Sequence, residues 1–431
     1  SVTPAPERAT TPTVGTIASK GATATPAAKT GAATERQSSL PVGEKIKEEP
    51  LKAELFRLNQ VGYLPDARKV ALVSDSAGKT FKVVNLQTWE SYWAAELSEP
   101  IEDYDSNDKM RLADFSGLTR PGTYSVVVEG AGHSYPFKIG PDVYTQLYHD
   151  AIASYEKLAQ MAPPAWHTEK ARLKNGGTEI DVTGGWPDAG DYGKYMPTAG
   201  ITVGVLLTFA ERFPEKMRSA TLDLPELKAS LPDYLEVVQR ELDWMLKMQR
   251  EDGGVYHKVT PDNFGPFSSG NDSIGGPMFV HDVSTPDTAI FAAAMALAFR
   301  VYKPYDAAYA ERLLTAAEQA WKHLEKHPDE VLPPPMGGGT GGYVYAGDKT
   351  QRFWAAAELF AGTGAKKYDD YVRKYLDDSA HRTVKPISWI DTQTMGIFAY
   401  CFAEHGDDPL KADLKRKVRN WANEIVTLVE S

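Results

Sequence analysis

The chain of 431 residues is longer than one ordinary domain, so we expect two domains with ample material for a large core. Its formal net charge of −11 argues against nucleic acid or an anionic membrane as a partner, because either would require a basic face. Hydrophobic residues at 42% and charged residues at 24% are typical of a globular protein. The sequence contains no run of about 18 apolar residues, the length that a membrane span needs, and its single cysteine excludes an internal disulfide framework.

Residues 1–52 are rich in Ala, Thr and Pro and carry few large apolar side chains. Such a segment cannot bury enough apolar surface to offset the entropy of ordering, so we predict a disordered tail or linker. Thr/Pro-rich segments commonly tether the modules of secreted enzymes. The chain starts at Ser1 without Met, as it would after removal of a signal peptide or excision from a longer chain. We therefore expect a secreted protein, extracellular or periplasmic.

Residues 53–140 consist of short β-rich runs separated by turn signals such as Pro121-Gly122. Several short strands at this spacing predict a small β-sandwich. The predicted strands are residues 70–73, 81–84, 110–115, 124–128 and 135–139. No cluster of acids or histidines indicates chemistry in this domain, so we interpret it as scaffold.

From residue 141 onward, apolar residues recur at helical spacing. Ser284 and Asp306 stand where helix N-caps belong. Further helices are predicted at residues 142–160, 197–212, 351–362, 367–377, 391–404 and 410–429. Repeated helical hairpins with long loops at one end indicate an all-α toroid, in which the loops build a cleft and the helices provide packing.

The sequence GGWPDAGDYGKY at residues 184–195 concentrates the candidate chemistry. Asp188 and Asp191 are three residues apart, so one turn of backbone can aim both carboxylates at the same point. The glycines allow the main chain to approach a ligand closely. Three aromatic side chains stand beside the acids: Trp186, Tyr192 and Tyr195. Paired carboxylates among aromatic rings fit a sugar-cleaving site, because the acids handle protons and water while the rings stack on sugars.

A structural interpretation of the same stretch remains open. Aspartates in a Gly-rich loop also cap the helix that follows. The three aromatic side chains are explained equally well by packing against helices.

The stretch resembles the GGW-x-DAGDY-x-K-[YF] signature of the family-nine glycoside hydrolases, the inverting cellulases. Residues 58–65 (LNQVGYLP) resemble the immunoglobulin-like domain that precedes the catalytic domain in one branch of that family. Residues 241–249 (ELDWMLKMQ) and 252–258 (DGGVYHK) resemble a later run of the catalytic domain. The resemblance implies an immunoglobulin-like β-sandwich over residues 53–140, followed over 141–431 by an (α/α)6 toroid that lacks its C-terminal part.

The resemblance also implies a glycoside hydrolase that cleaves β-1,4-glucosidic bonds in cellulose or related β-glucans with inversion, as an endoglucanase does. It assigns Asp191 as the general base and Asp188 as a residue that positions the attacking water. In inverting enzymes the two catalytic carboxyl groups stand roughly 6.5–9.5 Å apart to admit that water. The residues implied in substrate binding are Trp186, Tyr192, Tyr195 and His257. For His257, a structural role is the open alternative. We expect a monomer whose partner is a β-glucan or cello-oligosaccharide.

Two departures from the family pattern matter. Family members commonly carry an Asp-Glu pair that in some of them helps to hold calcium, and here the positions are Gln351 and Arg352. A neutral amide and a cation are poor ligands for a hard cation, so we expect no metal and no cofactor. The family's general acid, a glutamate in an Asn-Glu pair, is also missing, because Glu424 lies on a helix that precedes the corresponding segment. We therefore expect a chain that ends early.

Three alternatives remain open at this point. The first is an exo-acting glucosidase or glucosaminidase of the same family. The second is a non-catalytic glucan-binding fragment, suggested by the missing general acid. The third is a fragment that cannot fold alone, since an open toroid would leave apolar helix faces in water and would aggregate.

Overall fold

The computed structural model describes residues 43–103, 106–161, 170–174, 176–188, 192–222, 230–263, 277–333, 340–405 and 408–430. The chain divides into two compact units, residues 1–143 and 144–431. Most of the segment 1–52, for which a disordered tail is predicted, lies outside the described residues.

The first unit contains two antiparallel sheets. The strands are β1 Phe56–Arg57, β2 Val70–Ser74, β3 Thr80–Asn85, β4 Glu90–Glu96, β5 Ile101–Glu102, β6 Lys109–Asp114, β7 Gly122–Val128, β8 Gly132–His133 and β9 Phe137–Ile139. One sheet has the order β1-β2-β6-β5 and the other β4-β3-β7-β8, with β9 paired to β7. All of these pairs are antiparallel.

Alternating side chains of the two sheets meet in one hydrophobic core. Ala71 and Val73 enter this core from β2, and Phe81 and Val83 enter it from β3. The Tyr63 ring packs edge-on against two phenylalanine rings at the centre. The predicted immunoglobulin-like β-sandwich is confirmed.

The second unit is mainly helical. Its helices are α1 Thr145–Met161, α2 Met196–Arg212, α3 Pro214–Arg218, α4 Asp233–Lys247, α5 Thr285–Tyr302, α6 Ala307–Lys326, α7 Lys349–Thr363, α8 Lys366–Leu376, α9 Gln393–Phe402 and α10 Pro409–Glu430. Helix α5 is apolar on every side and buried along nearly its whole length, as expected of an inner helix. It packs against α2, α6 and α7, and α7 packs in turn against α9. The predicted arrangement of helical hairpins in a toroid is confirmed.

Two helix starts follow the predicted capping chemistry. The Ser284 hydroxyl accepts a hydrogen bond from the backbone N–H of Asp287 at 3.2 Å. The Asp306 carboxylate accepts one from the N–H of Tyr309 at 3.1 Å. Both N-caps are therefore confirmed, and both satisfy a backbone donor that the helix itself leaves open.

The second unit also contains short strands that an all-α domain does not include. They are β10 Lys170–Leu173, β11 Glu179–Asp181, β12 Lys194–Tyr195, β13 Val255–Tyr256, β14 Lys258–Thr260, β15 Phe279–Val280 and β16 Val283–Ser284. Five of them form a sheet of order β11-β10-β15-β14-β12, and β13 pairs with β16. These strands join the loops at the N-terminal ends of α2 and α5. Within the described part of the chain, no helix has the length and apolarity to span a membrane.

Candidate active site

Residues 182–188 form a loop that lies against α4. The backbone N–H of Asp188 donates to the carbonyl oxygen of Gly193 at 2.8 Å, and this bond joins the loop to the strand that leads into α2. Gly185 has a φ of 79°, and a Cβ atom there would lie 2.6 Å from Cγ of Trp244. Only glycine fits this position without strain, because the backbone is left-handed and passes directly over an indole ring.

Asp188 is the described member of the predicted carboxylate pair. Its side chain is partly exposed, and its carboxylate accepts a hydrogen bond from the Tyr343 hydroxyl. Asp191 lies outside the described residues. A carboxylate that is fixed by a donor and still reaches solvent is suited to orient a water molecule.

Tyr343 lies on a segment, residues 340–345, that the Tyr195 and Lys258 side chains bond to the rest of the site. The N–H of Gly341 donates to the Tyr195 hydroxyl oxygen at 3.2 Å. The Lys258 ammonium donates to the carbonyl oxygen of Gly341 at 2.8 Å and to the Thr340 hydroxyl at 3.0 Å. These bonds fix the backbone from which Tyr343 reaches Asp188.

Asp287, in the first turn of α5, is buried and contacts two side chains that hold the same segment. One of its oxygens lies 2.7 Å from Nδ1 of His257, and the other accepts from the Tyr345 hydroxyl at 2.8 Å. Nε2 of His257 faces the carbonyl oxygen of Gly342 at 3.2 Å. His257 and Tyr345 therefore tie the segment to the start of α5.

Two aromatic rings pack against the Tyr343 ring, whose hydroxyl contacts Asp188. The Tyr343 ring centroid lies 4.8 Å from that of Tyr195 and 5.2 Å from that of Trp389. Trp389 also packs edge-on against Tyr345 at 5.4 Å. Tyr343 and Trp389 are partly exposed, so their rings offer apolar surface next to the carboxylate.

The residues predicted to bind substrate differ in their exposure. Trp186, Tyr195 and His257 are 6%, 1% and 2% exposed. Tyr192 is partly exposed and has a φ of 53°. Burial favours the packing alternative for Trp186 and Tyr195, and both ring nitrogens of His257 face protein oxygens. Substrate contact by these four residues stays a prediction.

His281 lies beside β14, with its Nε2 3.0 Å from the Thr260 hydroxyl. Burial lowers the pKa of His281 to about 4, and the nearby Lys258, His257 and Lys174 act in the same direction. The imidazole is therefore neutral near neutral pH.

The Gln351 and Arg352 side chains make contacts that do not fit a calcium ion. The Arg352 guanidinium donates to carbonyl oxygens of Leu324 and His327 at 3.0 and 2.7 Å, and to the Asp348 carboxylate at 2.7 Å. The Gln351 amide donates to carbonyl oxygens of the residues at 389 and 390. The carbonyl and carboxylate oxygens that a hard cation would need as ligands therefore accept hydrogen bonds from the Arg352 guanidinium and the Gln351 amide. In the described ranges, no group of three or more His, Cys, Asp or Glu side chains could hold a metal.

Several residues of the site were not identified from the sequence. They are Tyr343, Tyr345, Trp389, Lys258 and Asp287. The pair Gly341-Gly342 immediately before Tyr343 was an available signal, since paired glycines mark a backbone that turns sharply. Nothing in the spacing links residue 343 to residue 188, because their contact depends on the whole helical packing.

Comparisons with known proteins cover both units. Residues 144–430 match the model of Glycosyl hydrolase family 9, and residues 52–133 match the Cellulase N-terminal ig-like domain. Endoglucanase D of Acetivibrio thermocellus is 34% identical over 394 residues, which cover 86% of this chain and 62% of that protein. A cellodextrinase of Butyrivibrio fibrisolvens is 37% identical over 327 residues, which cover 72% of this chain and 59% of that protein. The chain thus spans about three fifths of the length of these relatives.

A similar solved structure is the crystal structure of the GH family 9 endoglucanase J30. It superposes with a TM-score of 0.78 at 37% identity, and the match covers 85% of this chain and 72% of that one. The similarity therefore extends over most of the described fold.

Proposed function

Because the chain belongs to glycosyl hydrolase family 9, we propose that it hydrolyses β-1,4-glucosidic bonds in cellulose or related β-glucans. The observation that carries the proposal is the Asp188 carboxylate, fixed by Tyr343 in the signature loop and flanked by partly exposed aromatic rings. The endoglucanase and cellodextrinase relatives support a glucan as the substrate.

The proposed reaction proceeds with inversion. Asp191 takes a proton from a water molecule on the far side of the sugar ring, while Asp188 orients that water. The Tyr343 hydroxyl holds the Asp188 carboxylate in one orientation, so the water is positioned before the reaction starts. An acid on the opposite side protonates the leaving oxygen, and no residue of this chain is assigned that role.

Glucan binding without cleavage is a second candidate function. The aromatic surface beside Asp188 would serve either activity, since ring stacking binds a sugar whether or not the bond is cut. Exo action on short glucans is a further alternative, favoured by the similarity to a cellodextrinase.

We also propose that the protein is secreted, acts as a monomer and requires no metal. The Thr/Pro-rich N-terminal sequence supports export. The donors that Gln351 and Arg352 direct at carbonyl oxygens support independence from calcium.

The decisive experiment compares cleavage with binding. Release of reducing sugar from carboxymethylcellulose is measured for the chain and for Asp191→Ala, alongside binding of cello-oligosaccharides by calorimetry. Hydrolysis that Asp191→Ala abolishes, with binding and melting temperature preserved, supports the enzyme. Binding without hydrolysis in the unmutated chain favours the second candidate. Normal hydrolysis by Asp191→Ala would overturn the assigned base.

A further inference from the structure

Two buried charged side chains lie behind the Asp188 loop and have no part in the proposed reaction. Lys194 belongs to β12 and is 8% exposed, and Glu241 belongs to α4 and is fully buried. Burying a charge is costly unless polar groups compensate it, so each of these residues calls for an explanation.

Lys194 binds the loop through its backbone carbonyls. Its ammonium donates to the carbonyl oxygens of Val182 and Gly184, the latter at 2.7 Å. The same ammonium lies 5.6 Å from the centroid of the Trp244 ring, over which Gly185 passes. One cation therefore holds two carbonyls of the segment that leads to Asp188.

Glu241 binds the same segment through a backbone donor. Its Oε2 accepts from the N–H of Trp186 at 2.5 Å, two residues before Asp188. Its Oε1 is buried and has no hydrogen-bond partner among the described residues. A single acceptor oxygen therefore fixes the backbone immediately before the carboxylate.

A third side chain completes the attachment. Lys247, on the last turn of α4, donates to the carbonyl oxygen of Thr183 at 3.0 Å and pairs with Asp181 at 3.1 Å. The segment from Asp181 to Trp186 is thus bound at successive backbone groups by α4 and β12. Because these contacts come from a helix and a strand, they give the loop the rigidity of the scaffold.

The two buried charges depend on each other. Burial lowers the pKa of Lys194 to about 8, and the opposite charge of Glu241 limits this shift. Burial raises the pKa of Glu241, and the Trp186 N–H and the charge of Lys194 oppose this shift. Removing one of the two groups takes away an opposite charge that favours the ionised form of the other.

We propose that Lys194 and Glu241 are positioning residues that set the place of the Asp188 carboxylate for catalysis. The proposal rests on the proposed hydrolysis of glucans. Neither side chain is assigned contact with substrate. They act through the backbone of residues 182–186, and through it on the orientation of Asp188.

The kinetic test uses Lys194→Met and Glu241→Leu, with hydrolysis of a soluble cello-oligosaccharide as the readout. If the Asp188 carboxylate is displaced, kcat should fall at least tenfold in both variants while KM stays within about twofold. The displacement affects the reacting groups in the transition state and leaves the contacts that bind substrate unchanged. Glu241→Gln keeps an oxygen acceptor for the Trp186 N–H and should restore most of kcat. Glu358→Leu is the matched control, because Glu358 is a buried carboxylate that accepts from an indole N–H and pairs with Arg300 away from the loop.

Hydrogen exchange of the loop amides separates this proposal from the proposed function. The amide of Trp186 should lose protection in Glu241→Leu and Lys194→Met and keep it in Glu358→Leu. An unmutated chain that does not hydrolyse glucan would contradict the proposed function, while the exchange data would still test the attachment of the loop. Unchanged kcat in both variants, or loop protection equal to that of the Glu358→Leu control, would overturn the positioning role.

Discussion

At the scale of single residues, the site depends on how one carboxylate is held. Asp188 combines a partly exposed side chain with a hydrogen bond from Tyr343, whose own backbone has a φ of 42°. Left-handed backbone is strained for a tyrosine, and such strain persists where the surroundings fix the segment. Lys258, His257 and Tyr195 supply that fixation. The strained backbone therefore places a donor at the candidate carboxylate.

Removal of the Tyr343 hydroxyl tests this contact. Tyr343→Phe keeps the ring and loses the hydrogen bond, so kcat on a cello-oligosaccharide should fall by about tenfold, the effect of losing a bond to a charged group. Tyr309→Phe is the matched control, because Tyr309 donates to the Asp243 carboxylate at 3.0 Å in the helical core. It should lower the melting temperature without lowering kcat. Equal kcat in Tyr343→Phe and the unmutated chain would contradict a role in orienting Asp188.

The two adjacent glycines of the loop offer a second residue-scale test. Gly184 and Gly185 have φ values of 82° and 79°, so alanine at either position bears a similar backbone strain of roughly 1–2 kcal/mol. At Gly184 the nearest atom is 4.0 Å from the added Cβ, whereas at Gly185 Trp244 lies at 2.6 Å. Gly185→Ala should therefore be less stable than Gly184→Ala by about 1–3 kcal/mol in urea unfolding, the cost of overpacking. Equal stabilities would show that the loop does not rest on Trp244.

The sequence identified some of these residues and not others, for physical reasons. The acids at 188 and 191 stand out because their spacing and glycine neighbours are local properties of the chain. Tyr343 contacts Asp188 and Trp389 packs on Tyr343, but both come from distant parts of the sequence, and tertiary packing brings them there. For Trp186 and Tyr195, an aromatic side chain has the same appearance in sequence whether it stacks on sugar or packs in a core, and both are buried.

At the scale of elements, local signals located most helices and strands. The capping residues Ser284 and Asp306 mark real helix starts because a side-chain oxygen at this position bonds the first free N–H groups. Strand β4 was missed, since Ala94, Ala95 and the glutamates at its ends are poor strand formers. Its place is set by pairing with β3. The two- and three-residue strands beside the site were missed because they are too short to show a strand pattern and are defined only by their pairing.

The cap at Asp306 provides the element-scale prediction. Asp306→Ala leaves the N–H of Tyr309 without its acceptor and should lower the free energy of unfolding by about 1 kcal/mol. Asp306→Asn retains a side-chain oxygen and should stay within a few tenths of a kcal/mol of the unmutated chain. Urea denaturation followed by circular dichroism compares the three proteins. Similar losses in both variants would indicate that the charge of Asp306, rather than its capping bond, stabilises α6.

At the scale of the whole molecule, the chain joins an immunoglobulin-like unit to a helical unit of glycosyl hydrolase family 9. Helices α2, α5, α7 and α9 form successive inner contacts, and the loops at the starts of α2 and α5 carry the site. The site is therefore built from segments far apart in sequence, and its geometry depends on the cooperative packing of the helices.

Folding stability should respond to acid through His281. Its pKa in the folded protein, about 4, lies below the ordinary value of 6.5. As pH falls below 6.5, His281 becomes protonated in the unfolded chain and stays neutral in the folded protein. The free energy of unfolding therefore decreases toward pH 4. His281→Asn should weaken this decrease between about pH 6.5 and 4 and leave the pH dependence above pH 7.5 unchanged. Parallel curves for the two proteins across the acidic range would contradict the assignment.

The most direct test of a base-activated water at Asp191 is the anomer first released from a cello-oligosaccharide, followed by proton NMR in the unmutated chain. Inversion predicts that the new reducing end appears first as the α-anomer, and that Asp191→Ala releases none. Initial release of the β-anomer, or α-anomer at the normal rate from Asp191→Ala, would contradict the proposed chemistry.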